Sequence, residues 1–106
     1  MRTVTKKQMK EMYDDLSRGH WIMTRMMDLY GISLGSTEFW SDIRKITGNV
    51  GYLARIPKSA WDMEEAADEY HSAQWALVAV ASTVSRANNE HPDEFATSWL
   101  DSFKEF

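Results

Sequence analysis

The chain has 106 residues, of which 43% are apolar and 26% charged, a balance that fits one soluble globular domain spanning residues 1–106 and excludes wholesale disorder. It has no cysteine, which excludes a disulfide framework, a thiolate zinc site and a cysteine nucleophile. The net charge of −4 hides a division: residues 1–58 hold ten Lys/Arg and six Asp/Glu, whereas residues 59–106 hold two and ten.

Such a split suits a basic half facing nucleic acid, an acidic half facing a basic partner, or two halves that attract each other within one fold. The N-terminus carries early positive charge but no apolar stretch of the kind a secretory signal needs. The longest uncharged apolar run, Trp75 to Ala81, is far short of the roughly 20 residues that span a bilayer. A cytoplasmic protein without a membrane span is the expectation.

In chain order, Met9, Met12, Tyr13 and Leu16 follow the i, i+3, i+4, i+7 spacing of one helical stripe. Met23, Met26, Met27 and Tyr30 repeat it. Gly19 lies between them, either as a break or inside one long helix at a cost of about 1 kcal/mol. Tyr30-Gly31-Ile32 has the form of a helix stop, with glycine in the left-handed position and an apolar residue behind it. Ser36 is a candidate N-cap for the next helix, with Glu38 in its first turn and Phe39, Trp40, Ile43 and Ile46 on its apolar side. Gly48 is expected to end it, leaving Asn49 to Ile56 as a short segment with Val50, Leu53 and Ile56 buried.

Pro57-Lys58-Ser59 is expected to start the longest helix, capped by Ser59 with Asp62 at the third position, and to run to about Ala87 before Asn88-Asn89. That is about 29 residues, or about 43 Å. Its second half, from Ala73 to Ala81, is apolar on nearly every side, which places this helix at the centre of a bundle. Pro92, Asp93 and Glu94 open a last helix with Phe95, Trp99 and Phe103 on one stripe, and His91 is a candidate cap. No segment alternates, so no sheet is expected. The fold class is all-α: a compact bundle of about five helices around a long central helix at 59–88.

Chemistry-bearing residues gather on that long helix. Trp61, Glu64, Asp68, His71 and Trp75 are spaced 3, 4, 3 and 4, so two carboxylates and a histidine share one stripe with an indole at each end. Asp62, Glu65 and Glu69 form the adjoining stripe. The pattern describes either the solvated side of an amphipathic helix or an acidic docking surface. A di-iron core needs two Glu-x-x-His motifs, and this chain has one Asp-x-x-His at Asp68 to His71.

Glu65-Ala66-Ala67-Asp68, followed by an apolar helix, resembles the second Glu-x-x-Asp motif of the all-α nucleoside triphosphate pyrophosphohydrolases, the MazG and phosphoribosyl-ATP pyrophosphohydrolase group. The resemblance implies a helical dimer or tetramer, magnesium, and cleavage of a nucleotide between its α- and β-phosphates. It places a Glu-x-x-Glu motif near Gly48 to Tyr52, where this chain has no carboxylate.

Asp28 to Ser33 followed by a capped helix has the form of a helix-turn-helix corner over residues 23–47, with Ser36, Thr37, Arg44 and Lys45 as candidate nucleic-acid contacts. Glu38, Phe39 and Trp40 stand where base-reading polar groups belong, and Arg44 and Lys45 come late in the helix, better placed for phosphate. Seven methionines and five tryptophans suit core packing, yet five indole N–H groups in so small a chain point to one or two tryptophans at an interface. A homodimer is a further use for such a surface.

No Gly-x-Ser-x-Gly, phosphate-binding glycine loop or His-Glu-x-x-His is present. No catalytic residue, metal or cofactor is therefore expected. The expected function is a non-enzymatic protein-binding module. Trp61, Asp62, Glu64, Glu65, Asp68, Glu69 and Trp75 would meet a basic, nucleic-acid-handling partner, as in the small acidic inhibitors of phages and mobile elements.

Overall fold

A computed structural model describes residues 3–103, so the two ends of the expected 1–106 domain lie outside it. Thr5 opens the first helix with a reciprocal cap: its hydroxyl accepts from the Gln8 N–H, and the Gln8 side chain accepts from the Thr5 N–H. Helix α1 then runs unbroken over Lys6–Tyr30, with Gly19 inside it, and Gly31 ends it at φ +62°. Its glycine is a packing device. A Cβ there would lie 2.7 Å from Val80 Cγ1 and 2.8 Å from Trp99 Cζ2, so neighbouring helices occupy the space a side chain would need.

Helix α2 spans Thr37–Arg55 from the Ser36 cap, whose Oγ accepts from the Phe39 N–H. Gly48 does not end it, because α1 and α3 bury Val50, Gly51, Leu53 and Ala54 on the same helical face that begins with Ile43. Packing of that face outweighs one glycine's helix penalty of about 1 kcal/mol. The predicted break and short segment at Asn49 to Ile56 are thus one continuous helix.

The expected start at Ser59 also shifts. Lys58–Ala60 forms a single 3-10 turn, and helix α3 covers Met63–Glu90. Asp62 is its N-cap, because its Oδ1 reaches the N–H groups of Glu64 and Glu65 at 3.0 and 3.2 Å. At the other end Asn88 does not stop the helix; its side chain accepts from the Asp93 N–H and donates to Thr97. Helix α4, Glu94–Asp101, is capped by Asp93, with Pro92 just before the cap and His91 stacked on Tyr30. The all-α bundle therefore has four α-helices and one 3-10 turn, with no strand among the described residues.

Side-chain contacts give the register. Lys6 donates to the carbonyls of Leu53 and Ile56, Tyr13 lies against Gly51, and His20 packs edge-on to Trp40, so α2 runs antiparallel to α1. Gly19 against Val80 and Tyr30 against His91 make α3 parallel to α1. Arg25 to Asp93 and Gly19 to Trp99 make α4 antiparallel to both. Helix α3 touches all three others, as its apolar second half implies. Met9, Leu16, Ile22, Met23 and Met26 meet Val50, Val80 and Val84 in the core, so most of the methionines are packing residues. No helix among the described residues is long and apolar enough to cross a membrane.

Candidate functional site

The outward side of α3 is acidic at its start, as the sequence suggests, but less covered at its middle. Counting along the helix, Glu64, Asp68, His71, Trp75 and Val78 share one stripe (i, i+4, i+7, i+11, i+14). All five are exposed, Trp75 by 66% and Val78 by 58%. The expectation of burial all round the helix therefore fails for this stripe. The Trp75 indole N–H donates to His71 Nε2 at 3.2 Å, which holds the ring across one turn of the surface.

The predicted docking residues separate into two groups. Glu64, Glu65, Asp68 and Trp75 are exposed, and none of the three carboxylates is ion-paired to a described residue. Trp61, Asp62 and Glu69 have structural work instead. Trp61 precedes the helix, is only 8% exposed, and donates its indole N–H to the Leu53 carbonyl at 2.9 Å, so it is not an exposed anchor. Burial of that ring under the Lys6 ammonium closes the corner between α2 and α3. Asp62 is committed to the helix N-terminus. Half-buried Glu69 accepts from Asn49 Nδ2 at 3.2 Å.

Beside the stripe, a cleft of about 470 Å³ separates α2 from α3. Asp62, Glu65 and Glu69 form one wall, and Asn49 and Tyr52 the other. Tyr52 is 57% exposed at its rim. Three acids of α1 add to the negative field on the opposite flank of α3: burial, then Glu11 and Asp14, push the Asp15 carboxyl up, and Glu11 and Asp15 add to the burial that raises the Tyr70 phenol.

An ion pair between Arg25 and Asp93, at 2.5 Å, joins the two charged halves. Burial pushes the Asp93 carboxyl up, but hydrogen bonds from Arg25, Tyr30 and the Ala96 N–H outweigh it and hold the pKa at about 2. This cluster welds α4 to the end of α1. Its members are 68 and 63 residues apart in sequence, which is why no local pattern announces it.

The two other sequence motifs lose their geometric basis. Glu65 faces α2, but Asp68 lies on the outward stripe, so the Glu65–Asp68 pair does not converge on one point of the cleft. Asn49 and Tyr52 stand opposite, and among the described residues no group of three or more His, Asp or Glu is placed to share a metal ion. The donor set does not fit the magnesium that the resemblance implies. The corner over residues 23–47 is an antiparallel hairpin with α2 packed lengthwise on α1, whereas a helix-turn-helix crosses its two helices at roughly 90–120°. Ser36 is spent as a cap; Thr37, Arg44 and Lys45 are exposed. The sequence stripe extended by one step reaches Val78, so that residue was within reach of the pattern; the exposure of Tyr52 depends on where α3 stops covering α2. Comparison of the chain with protein-family models, curated proteins and solved structures finds no match.

Proposed function

We propose that the protein is a binding module whose outward α3 face docks a protein with a basic surface. The observation that carries this reading is the pair of exposed carboxylates Glu64 and Asp68, neither ion-paired to a described residue, leading directly into exposed Trp75 and Val78, with Glu65 beside them at the cleft wall. Carboxylates speed encounter with a positive surface and set its register, while a tryptophan desolvated on contact supplies affinity. Glu64 and Glu65 also stabilise the first turn of α3 through the helix dipole, but Asp68 lies beyond that turn and Trp75 has no such role. Regularly spaced negative charge of this kind competes with nucleic acid for a basic groove, so a nucleic-acid-handling protein is the natural partner class.

The test is a titration of isotope-labelled protein with an Arg/Lys-rich peptide, followed by NMR. The expected result is a set of shift changes centred on Asp68, Trp75 and Val78, with affinity falling about tenfold between low and high salt. Asp68→Lys should abolish them. Shifts confined to other helices, or binding indifferent to salt and to Asp68→Lys, would overturn the reading.

A further inference from the structure

On the other flank of α2, and independent of the α3 face, a second cleft of about 420 Å³ opens between α1 and α2. We propose that this cleft binds a small organic phosphate carrying a planar ring, with Arg44 and Arg55 at its two ends and Gly48 as its open floor. Its size falls in the roughly 300–1,000 Å³ range of small-molecule sites. Tyr13, Ser17 and His20 of α1 form one wall, and Arg44, Thr47 and Gly51 of α2 contribute to the other. No carboxylate lines it, and neither arginine is ion-paired to a described residue. Guanidinium forks match phosphate oxygens, and their planes stack on ring systems. The arginines stand eleven residues apart, about 16 Å along the helix axis, so their long side chains bracket a ligand and do not crowd one atom.

Two further observations point to an occupant. The Thr47 hydroxyl oxygen is buried at the cleft wall and has no hydrogen-bond partner among the described residues. Such a group costs free energy unless something completes it. Gly48 is the second. Gly19 and Gly51 have packing reasons, since a Cβ at Gly51 would lie 2.6 Å from the Tyr13 ring, but a Cβ at Gly48 would meet nothing within 4 Å. A mid-helix glycine with open space before it forgoes helix stability, and its only local consequence here is an unfilled floor. A nucleic-acid polymer fits less well. Lys10, Asp14, Arg18, Asp42 and Lys45 intersperse both signs over the exposed sides of α1 and α2, so no continuous basic stripe leads away from the cleft.

Adenosine 5′-monophosphate is the probe, with adenosine, inorganic phosphate and a short single-stranded oligonucleotide as separate arms, all read by NMR of the full chain. The nucleotide should give saturable shifts at His20, Thr47 and Gly48 with a Kd below about 1 mM, and each half-ligand should bind at least about tenfold more weakly. Arg44→Gln and Arg55→Gln should each weaken binding about tenfold. Gly48→Leu should abolish it while thermal unfolding stays at or above the wild-type temperature; Gly48→Ala, with a single methyl, should weaken it in part. No saturable shift up to about 10 mM nucleotide, or binding unchanged by Gly48→Leu and Arg44→Gln, would overturn the proposal. So would an oligonucleotide that binds more than about tenfold tighter with shifts spreading over Lys10, Arg18 and Lys45, since that describes a nucleic-acid surface.

Discussion

Replacing Gly19 with alanine should destabilise the protein even though alanine is the better helix former. The intrinsic gain is about 1 kcal/mol in favour of alanine. Against it, the new methyl would sit 2.7 Å from Val80 Cγ1 and 2.8–2.9 Å from two ring atoms of Trp99. Carbon atoms rest at about 3.5–4.0 Å, so α1 has to retreat by roughly 1 Å from both α3 and α4. Val80 is fully buried and Trp99 nearly so, both within the core, so yielding means displacing other core side chains. Overpacking of this kind costs about 1–3 kcal/mol, and separating three helices lies at the upper end, which leaves a net loss of about 1–2 kcal/mol. For a chain of this size that lowers Tm by roughly 4–8 °C per kcal/mol. Gly48→Ala is the internal control, since its methyl enters open space and should raise stability by about 0.5–1 kcal/mol. Thermal and urea unfolding followed by circular dichroism read both. A Gly19→Ala variant as stable as wild type, or a Gly48→Ala variant that loses stability, would refute the packing assigned to α1.

Other perturbations have definite expected outcomes. Asp93→Asn removes the acceptor of the Arg25 pair; the depression of its pKa from 3.8 to about 2, discounted for solvent screening, corresponds to about 1–2 kcal/mol, measurable by urea unfolding at neutral pH. Because the folded-state pKa is the lower one, this contribution is complete above the ordinary carboxylate value and drains away as pH falls from there toward 2; a wild-type minus Asp93→Asn difference that is constant across that window contradicts it. Burial first, then the Arg44 charge, hold the His20 imidazole below its usual pKa, so Arg44→Gln should raise it in an NMR titration, and an unmoved value would separate the two side chains. Trp75→Ser and Val78→Ser, both on the uncovered stripe, should change stability by no more than about 0.5 kcal/mol; larger losses in calorimetry would mean that the stripe is packed.

Much of this architecture was legible because it is local. The apolar stripes at Met9 to Leu16 and Met23 to Tyr30, the stop at Gly31 and the cap at Ser36 each depend on residues within a few positions, and each stands where the pattern put it. Errors fell where distant packing overrides local preference. Gly48 reads as a helix end, but the face shared by Ile43, Val50 and Leu53 continues through it. Ser59 is a good capping residue, yet Trp61 turns inward to Leu53, and that contact leaves Asp62 as the first residue able to cap. The proposed docking face is half legible in the sequence. Stripe arithmetic joined Glu64, Asp68 and Trp75, but periodicity cannot say that Trp75 and Val78 stay exposed, because that depends on how far the other helices reach along α3. The α1–α2 cleft leaves no local signature in the sequence, since it joins Tyr13 and His20 to residues 24 to 42 positions away.

Affinity capture from cell extract, comparing the wild-type chain with an Asp68→Lys/Trp75→Ser double variant, addresses the proposed α3 docking face most directly. A protein with a basic, nucleic-acid-handling surface should be retained by the wild-type chain, released by moderate salt, and missing from the variant lane. Recovery of the same proteins by both chains, or a wild-type complex that salt leaves intact, contradicts an electrostatically steered contact through Asp68 and Trp75.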